Sequence, residues 1–340
     1  MSESLTYRGA GVDIDAATDA LERAKATIRS TFTDGVVSDV GAFGGLFSGS
    51  FPTYREPVLA ATIDGVGTKT RIARMMGQFE GLGFDIVHHS ANDLLAMGAR
   101  GLFFLDYFAT ARLEPKCLTE VIEGAAKACR THGIALLGGE TAEMPDIYVP
   151  GEIDIAGCLV GIAEKSHVPR PEQVQAGDAA IGLASNGLHT NGYTLARRAL
   201  FDAAGLSVDH SVDGISLGEW LLRPHTSYFD AVWPHIGQEY LHGMAHITGG
   251  GLYENIPRAL PTELRAMIDR RQWTPLPIFD LVQRSGNVPD NEMYRTFNMG
   301  VGFVLIVDRG AAQSVLDRLT GHDAWIIGEI VRGSKEVQIV

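Results

Sequence analysis

Apolar and polar positions alternate along the chain in blocks that switch between strand-like and helix-like rhythm. Val58 to Ile63 is an apolar run that stops at Asp64-Gly65, as a buried strand does. Phe84 to Ala99 carries Ile86, Val87, Ser90, Leu94, Leu95 and Met97 at helical spacing and ends at glycines. Leu102 to Phe108 predicts another strand. Leu113 to Arg130 predicts an amphipathic helix, with Pro115 in its first turn and Leu118, Val121, Ile122, Ala125 and Cys129 on one face. Ile134 to Leu137 reads as a short strand running into Gly138-Gly139-Glu140, and Ile153 to Ala163 as a long apolar strand.

Glu164 to Asp178 breaks this rhythm with Pro169, Pro171 and a charged composition, which predicts a boundary between domains 1–166 and 167–340. Beyond it, strands are expected at Ala179–Ala184, Ala245–Thr248, Leu264–Ile268, Val301–Val307 and Trp325–Val331. Helices are expected at about Gly192–Ala203, Pro277–Arg284 and Ala311–Leu319. Two α/β layers with mixed sheets follow from this pattern, and strand order does not.

Composition narrows the function. At 340 residues, the chain exceeds the size at which one core stops growing, so two domains are expected. A formal net charge of −13 argues against a nucleic acid partner and against adsorption to an anionic membrane. An anionic small molecule would need a local cluster of cations, backbone N–H groups or metal. Cys117, Cys129 and Cys158 show no C-x-x-C spacing, and two of them lie in apolar-periodic stretches, as core thiols do. No run approaches 18 apolar residues and Met1–Ala10 has no leader-like apolar stretch, so a cytosolic protein is expected.

Four Gly-punctuated polar segments sit where predicted elements end, which is where ligands collect in α/β folds. Asp64-Gly65-Val66-Gly67-Thr68-Lys69 offers a carboxylate for Mg²⁺, N–H groups for phosphate and a point charge; it is either that or a plain turn, and it is no Walker A loop. Asn92-Asp93 lies in a predicted helix, where adjacent side chains diverge by about 100°, so only one faces a site directly. Glu140, after a strand and two glycines, suits Mg²⁺ or a substrate amine, or else the start of a helix. Ser185 to Gly192 holds His189, Thr190 and Asn191 before a helix, as an anion-binding loop with a proton-handling His or as a capping loop. His88-His89 beside Asp85 reads as structural, since adjacent helical histidines diverge and neither has a histidine four residues away.

Taken in order, these strings resemble one family. Tyr7 to Asp15, Asp64 to Lys69, Asn92-Asp93, Phe103-Phe104-Leu105-Asp106-Tyr107 and Gly138 to Pro145 are similar to segments of aminoimidazole ribonucleotide synthetase. So are Gly187 to Gly192, His246 to Gly251 and Glu292 to Asn298. The likeness spans about Thr6 to Ile330, with Thr190 standing where the family has Ser. It implies a PurM-like two-domain α/β fold whose N-terminal, ATP-binding sheet pairs across a homodimer, with a larger C-terminal α/β domain. The implied activity is ATP-dependent closure of the imidazole ring from formylglycinamidine ribonucleotide. The resemblance implies Asp64, Asp93 and Glu140 as ligands of Mg²⁺–ATP, with Asn92 in addition, and Lys69 on phosphate. Gly65, Gly67 and Thr68 would line the nucleotide; Gly11, Val12, Asp13 and Asp15, with Lys25, would cover it. His189, Thr190 and Asn191 would bind substrate and assist proton transfer, while Gly187 and Gly192 admit the ribose phosphate.

Relatives on the same scaffold act elsewhere. Thiamine monophosphate kinase is the enzyme alternative, disfavoured by the Glu292–Asn298 string. Selenophosphate synthetase and a hydrogenase-maturation protein would need cysteines absent from the expected termini. A large amidotransferase would need more length, and a nucleotide-binding regulator without turnover is the reading from another class.

Overall fold

The computed structural model describes residues 6–7 and 14–340, without the side chains of 14, 16, 17, 20 and 21. Gly11, Val12 and Asp13 therefore lie outside the described residues. The chain forms two compact units: one of the residues up to Thr53 with Ala61–Ser90 and Gly101–Ile162, the other of Tyr54–Ala60, Ala91–Arg100 and Ala163–Val340.

The first unit is built on a four-stranded sheet. Its strands are β1 (Pro57–Gly65), β2 (Arg100–Thr110), β3 (Ala135–Glu143) and β4 (Ile153–Glu164), in the spatial order β1-β4-β2-β3. Strands β2 and β3 run parallel, as the intervening helix requires. Helices α1 (Ile14–Arg29), α2 (Lys69–Met76), α3 (Glu80–Ala96) and α4 (Pro115–Thr131) accompany it; α3 continues past Ser90 into the second unit. The periodic face of α4 is buried as expected, with Leu118, Val121, Ile122, Ala125 and Cys129 all inside. Burial pushes the Cys117 thiol up to about 12 and raises that of Cys129, so both stay protonated core thiols. The end of α1 is fastened to β3: Thr31 Oγ1 donates to Ile28 O and accepts from the Leu136 N–H.

The second unit holds a six-stranded sheet in the order β12-β9-β11-β5-β10-β8, formed by β5 (Ala179–Ala184), β8 (Leu241–His246), β9 (Leu264–Ile268), β10 (Val301–Val307), β11 (Ala324–Arg332) and β12 (Val337–Ile339). All pairs are antiparallel except β9 with β12. The small hairpin β6 (Ser211–Val212) and β7 (Ile215–Ser216) stands apart. Central strands β5 and β10 are apolar along almost their whole length because both faces are covered. Ile181, Leu183, Phe303 and Leu305 form the core with Tyr228, Val232, Val315 and Leu95. Shorter helices complete the unit: α5 (Tyr193–Arg197), α6 (Leu217–Leu222), α7 (Phe229–Val232), α8 (Gly251–Asn255), α9 (Pro277–Gly286), α10 (Asp290–Thr296) and α11 (Ala312–Leu316).

Mixed α/β layers are thus present in both units. Three local expectations change. The strand expected to be buried at Val58–Ile63 forms within β1, but at the edge of the sheet, with its side chains exposed or half-buried. The strand expected at Ile134–Leu137 extends through Glu140 to Glu143, so Glu140 lies in a strand and not at a helix start. The strand expected at Ala245–Thr248 lies earlier, because its polar start, Leu241–Gly243, pairs with the end of β10.

Candidate functional site

In the first unit, β1 delivers Asp64 near its C-terminal end with its side chain 39% exposed. Its Oδ1 accepts the Gly65 N–H at 3.0 Å, and its Oδ2 lies 2.9 Å from Nε2 of the buried His89. Gly65 and Gly67 are exposed, and Thr68 occupies the N-cap position of α2. Lys69, one residue on, points the other way. It is fully buried and Nζ donates to Asp85 at 2.8 Å, with neither side chain exposed. Burial lowers its pKa, and the adjacent Asp85 carboxylate opposes that shift. In this structure Lys69 thus forms a buried ion pair that ties the start of α2 to α3.

Glu140 is exposed on β3 and lines a cavity of about 900 Å³ with Lys25, Phe103, Asp106, Leu137 and Gly139. Lys25 is half-buried and ion-paired with Glu22, and Asp15 is exposed one helix stretch earlier. Arg29 grips Asp39 at the cavity with two hydrogen bonds of 2.7 and 2.8 Å, which holds that carboxyl down at about 2. Desolvation has the opposite effect on Asp106, raising its carboxyl to about 7. A cavity of this size with carboxylates and a cation suits a polar, drug-sized ligand.

In the second unit, Asn92 and Asp93 diverge as helical neighbours must. Asn92 is fully buried; its Nδ2 donates to Thr226 O at 2.8 Å and its Oδ1 accepts the Tyr228 N–H at 3.0 Å. Both ends of the amide hold one backbone segment, so its expected part as an extra ligand is withdrawn. Asp93, 27% exposed, begins a chain of side chains: its Oδ1 lies 2.8 Å from His246 Nδ1. His246 Nε2 is 3.0 Å from His225 Nε2, and His225 Nδ1 is 3.3 Å from Thr190 Oγ1. His189 stacks on His225 with centroids 4.0 Å apart and adopts a left-handed backbone, φ 60°. All three histidines are buried.

The loop that carries His189 is locked to α10 and the residues after it. Ser185 Oγ donates to Asn298 Oδ1 and Asn298 Nδ2 donates to Gly187 O, both at 2.8 Å. Gly192 has φ 78°, and a Cβ there would stand 2.2 Å from the Phe297 ring. Gly251 has φ 58°, and a Cβ there would stand 2.0 Å from Tyr294 O. These glycines serve close packing, and the Gly187 carbonyl is held by Asn298. A Cβ at Gly187 would meet nothing nearer than Trp220 O at 3.6 Å, so close packing constrains Gly192 and not Gly187. Asn191 remains half-buried, with Nδ2 3.5 Å from Thr190 Oγ1.

The sequence reading took Asp85 and His89 as structural and did not single out His225. His89 had a readable signal: it precedes Asp93 by four residues, one helical turn. His225 lies in Arg223-Pro224-His225-Thr226, where no periodicity marks it.

Residues 53–163 match the family described as AIR synthase related protein, N-terminal domain, and residues 175–340 match its C-terminal domain. A phosphoribosylformylglycinamidine cyclo-ligase of Alkaliphilus metalliredigens is 44% identical over 337 residues, covering 98% of this chain and 97% of that protein. The Nitrosococcus oceani protein of the same name is 46% identical over 338 residues, covering 99% and 94%. The chain belongs to the phosphoribosylformylglycinamidine cyclo-ligase family. The two matched spans flank the Pro169–Pro171 stretch. Asp64 and Glu140 fall in the first span; His189, His246 and Asn298 fall in the second. Among solved structures, thiamine-monophosphate kinase from Stenotrophomonas maltophilia K279a aligns with a TM-score of 0.69 at 18% identity, covering 94% of this chain and 95% of that one. The hydrogenase maturation protein HypE in complex with ATP aligns at 0.66 and 16%, covering 97% and 92%. At these identities the two show that the cyclo-ligase family shares their fold.

Proposed function

We propose that the chain catalyses ATP-dependent cyclisation of formylglycinamidine ribonucleotide to aminoimidazole ribonucleotide, with release of ADP and phosphate, as a step of purine biosynthesis. The observation that carries this reading is 42–46% identity, over nearly the whole chain, to proteins named for that reaction. An amide oxygen is a poor leaving group, so the γ-phosphoryl group of ATP is transferred to the formyl oxygen to give an iminophosphate. The amidine nitrogen of the same molecule then attacks the formyl carbon. A C–N bond forms, the C–O bond breaks, phosphate departs with the formyl oxygen and the amidine nitrogen loses a proton. Tethering of nucleophile and electrophile supplies the proximity, so the protein's task is to position both substrates and manage charge.

Magnesium takes hard oxygen ligands. Asp64 and Glu140 present exposed or half-exposed carboxylates and fit it. We assign them to Mg²⁺–ATP together with Asp93, the ion serving to neutralise phosphate charge. The exposed Gly65–Thr68 turn is assigned to the nucleotide, as is Lys25 at the cavity with Asp15 on its helix. His189, Thr190 and Asn191 are assigned to the substrate. We keep the functional division at 1–166 and 167–340. We also place the reaction in the cytosol, with neither nucleic acid nor membrane as partner; among the described residues no helix is long and apolar enough to cross a membrane.

The test is an incubation of purified protein with Mg²⁺–ATP and formylglycinamidine ribonucleotide. ADP and aminoimidazole ribonucleotide should appear in equal amounts. ADP appearing only with thiamine monophosphate would replace this reading with the kinase, and ATP binding without either product would indicate a regulator.

A further inference from the structure

The cavity of the first unit has two kinds of wall. Ile28, Ile122, Leu136 and Leu137 give it a buried apolar side, while the half-buried Lys25 and the exposed Glu140 bring charge to it. That division suits a nucleotide, whose base has apolar faces and whose phosphates are charged. A single loop, 39–45, adds seven consecutive residues to the same lining.

Both ends of that loop are pinned. Arg29 holds Asp39, the Val37 N–H donates to Leu46 O at 2.9 Å, and the Leu46 N–H donates to Ser38 Oγ at 2.7 Å. A Cβ at Gly45 would stand 2.3 Å from Leu137 Cγ, so the backbone there lies directly on β3. Two residues on, the Phe47 ring packs against Phe103 with centroids 5.2 Å apart. Between the pins there is room. A Cβ at Gly44 would meet nothing within 4 Å, and one at Gly41, where φ is 99°, would meet only the end of the Lys25 side chain, at 3.7 Å. Phe43, between these glycines, is fully exposed. A lone exposed apolar side chain is ordinary on a protein surface. This one belongs to the lining of a cavity, and the loop that carries it starts beside the cavity's own cation.

We propose that residues 40–45 form a lid over the nucleotide and that Phe43 is a binding residue: with ATP in the cavity, the loop turns at Gly41 and Gly44 and lays the Phe43 ring on a face of the base. Stacking needs only a π-face, so it holds the base without reading its hydrogen-bonding edge. Closure also takes the exposed ring out of water, which favours the closed state. The proposal rests on the ATP-dependent reading for the occupant of the cavity.

The test is binding of Mg²⁺–ADP to the full chain by calorimetry, which does not depend on turnover. Phe43→Ala should weaken ADP about tenfold, the scale of one base stacked on one ring, and Phe43→Tyr should stay near wild type. Inorganic tripolyphosphate, which has no base, should bind wild type and Phe43→Ala alike. In Phe43→Trp, ADP should change the indole fluorescence in a way absent from wild type, and tripolyphosphate should not. In turnover, Phe43→Ala should raise the KM for ATP and leave that for the ribonucleotide unchanged. Wild-type ADP affinity in Phe43→Ala would overturn the proposal, as would an equal loss of tripolyphosphate. So would a Phe43→Ala chain that sediments at a lower mass than wild type, since the ring would then belong to a subunit contact. Wild-type protein that binds ADP and fails to cyclise the ribonucleotide refutes the cyclo-ligase reading alone, and the binding data still decide the lid.

Discussion

Burying Lys69 against Asp85 takes two charges out of water, and their attraction offsets that cost only while both are present. Removing either partner alone, as in Asp85→Asn or Lys69→Met, should destabilise the protein by about 3–5 kcal/mol. The double variant Lys69→Met/Asp85→Leu should recover most of that loss, as read from denaturant midpoints. Its activity separates two roles for Lys69. If Lys69 acts only by holding α2 to α3, the stable double variant keeps turnover within a few-fold; a contact with transferring phosphate would make it nearly inactive. Residue type and spacing left a phosphate contact and a plain turn both open, because a Lys after Asp-Gly-x-Gly-Thr reads the same whether it faces out or in, and the family resemblance implied phosphate. What decides its direction is Asp85, sixteen residues later, whose pairing depends on the placement of α3 and leaves no mark in the local pattern.

At the level of elements, three separate strings of the sequence prove to be one construction. The loop 185–192, the Gly249–Gly251 turn and helix α10 with its following residues lock together through Asn298, Phe297 and Tyr294. That is a physical reason for such strings to occur as a set. Gly192→Ala would place a Cβ against a fully buried ring at a left-handed backbone position. We expect a loss of at least about 2 kcal/mol, from overpacking and strain together, measured as a drop in unfolding free energy. A loss below half of that would show that Phe297 can move aside. Strands with uninterrupted apolar runs were legible to the residue: Ala179–Ala184, Leu264–Ile268 and Val301–Val307 have the expected ends. Less legible were β3 past its glycines, the start of β8 and the edge strand β12. Their polar residues are carried by neighbours in the sheet, not by their own periodicity.

For the molecule as a whole, the sheet of the first unit leaves β1 at an edge with Leu59 and Ile63 exposed by 62% and 72%. Large apolar side chains on an unpaired edge are a liability in a monomer. We therefore propose that a second copy covers them in a homodimer, in keeping with the family resemblance. Sedimentation should give twice the mass of the chain, and Leu59→Asp/Ile63→Asp should shift it to one; a wild-type monomer at micromolar concentration would rule the dimer out. The two-layer α/β class could be read from pattern and composition, whereas the strand orders could not, since periodicity carries no information on which strands are neighbours. The same holds for chemistry. Composition and strand-end carboxylates pointed to an ATP-using enzyme of small molecules, and only likeness to a family named the ring.

The central claim is that the formyl oxygen is activated by phosphorylation and leaves as phosphate. It is tested most directly with formylglycinamidine ribonucleotide labelled with ¹⁸O in the formyl group, turned over with Mg²⁺–ATP. One ¹⁸O atom should appear in each inorganic phosphate formed, in step with aminoimidazole ribonucleotide. Label appearing in water, with unlabelled phosphate, would contradict it.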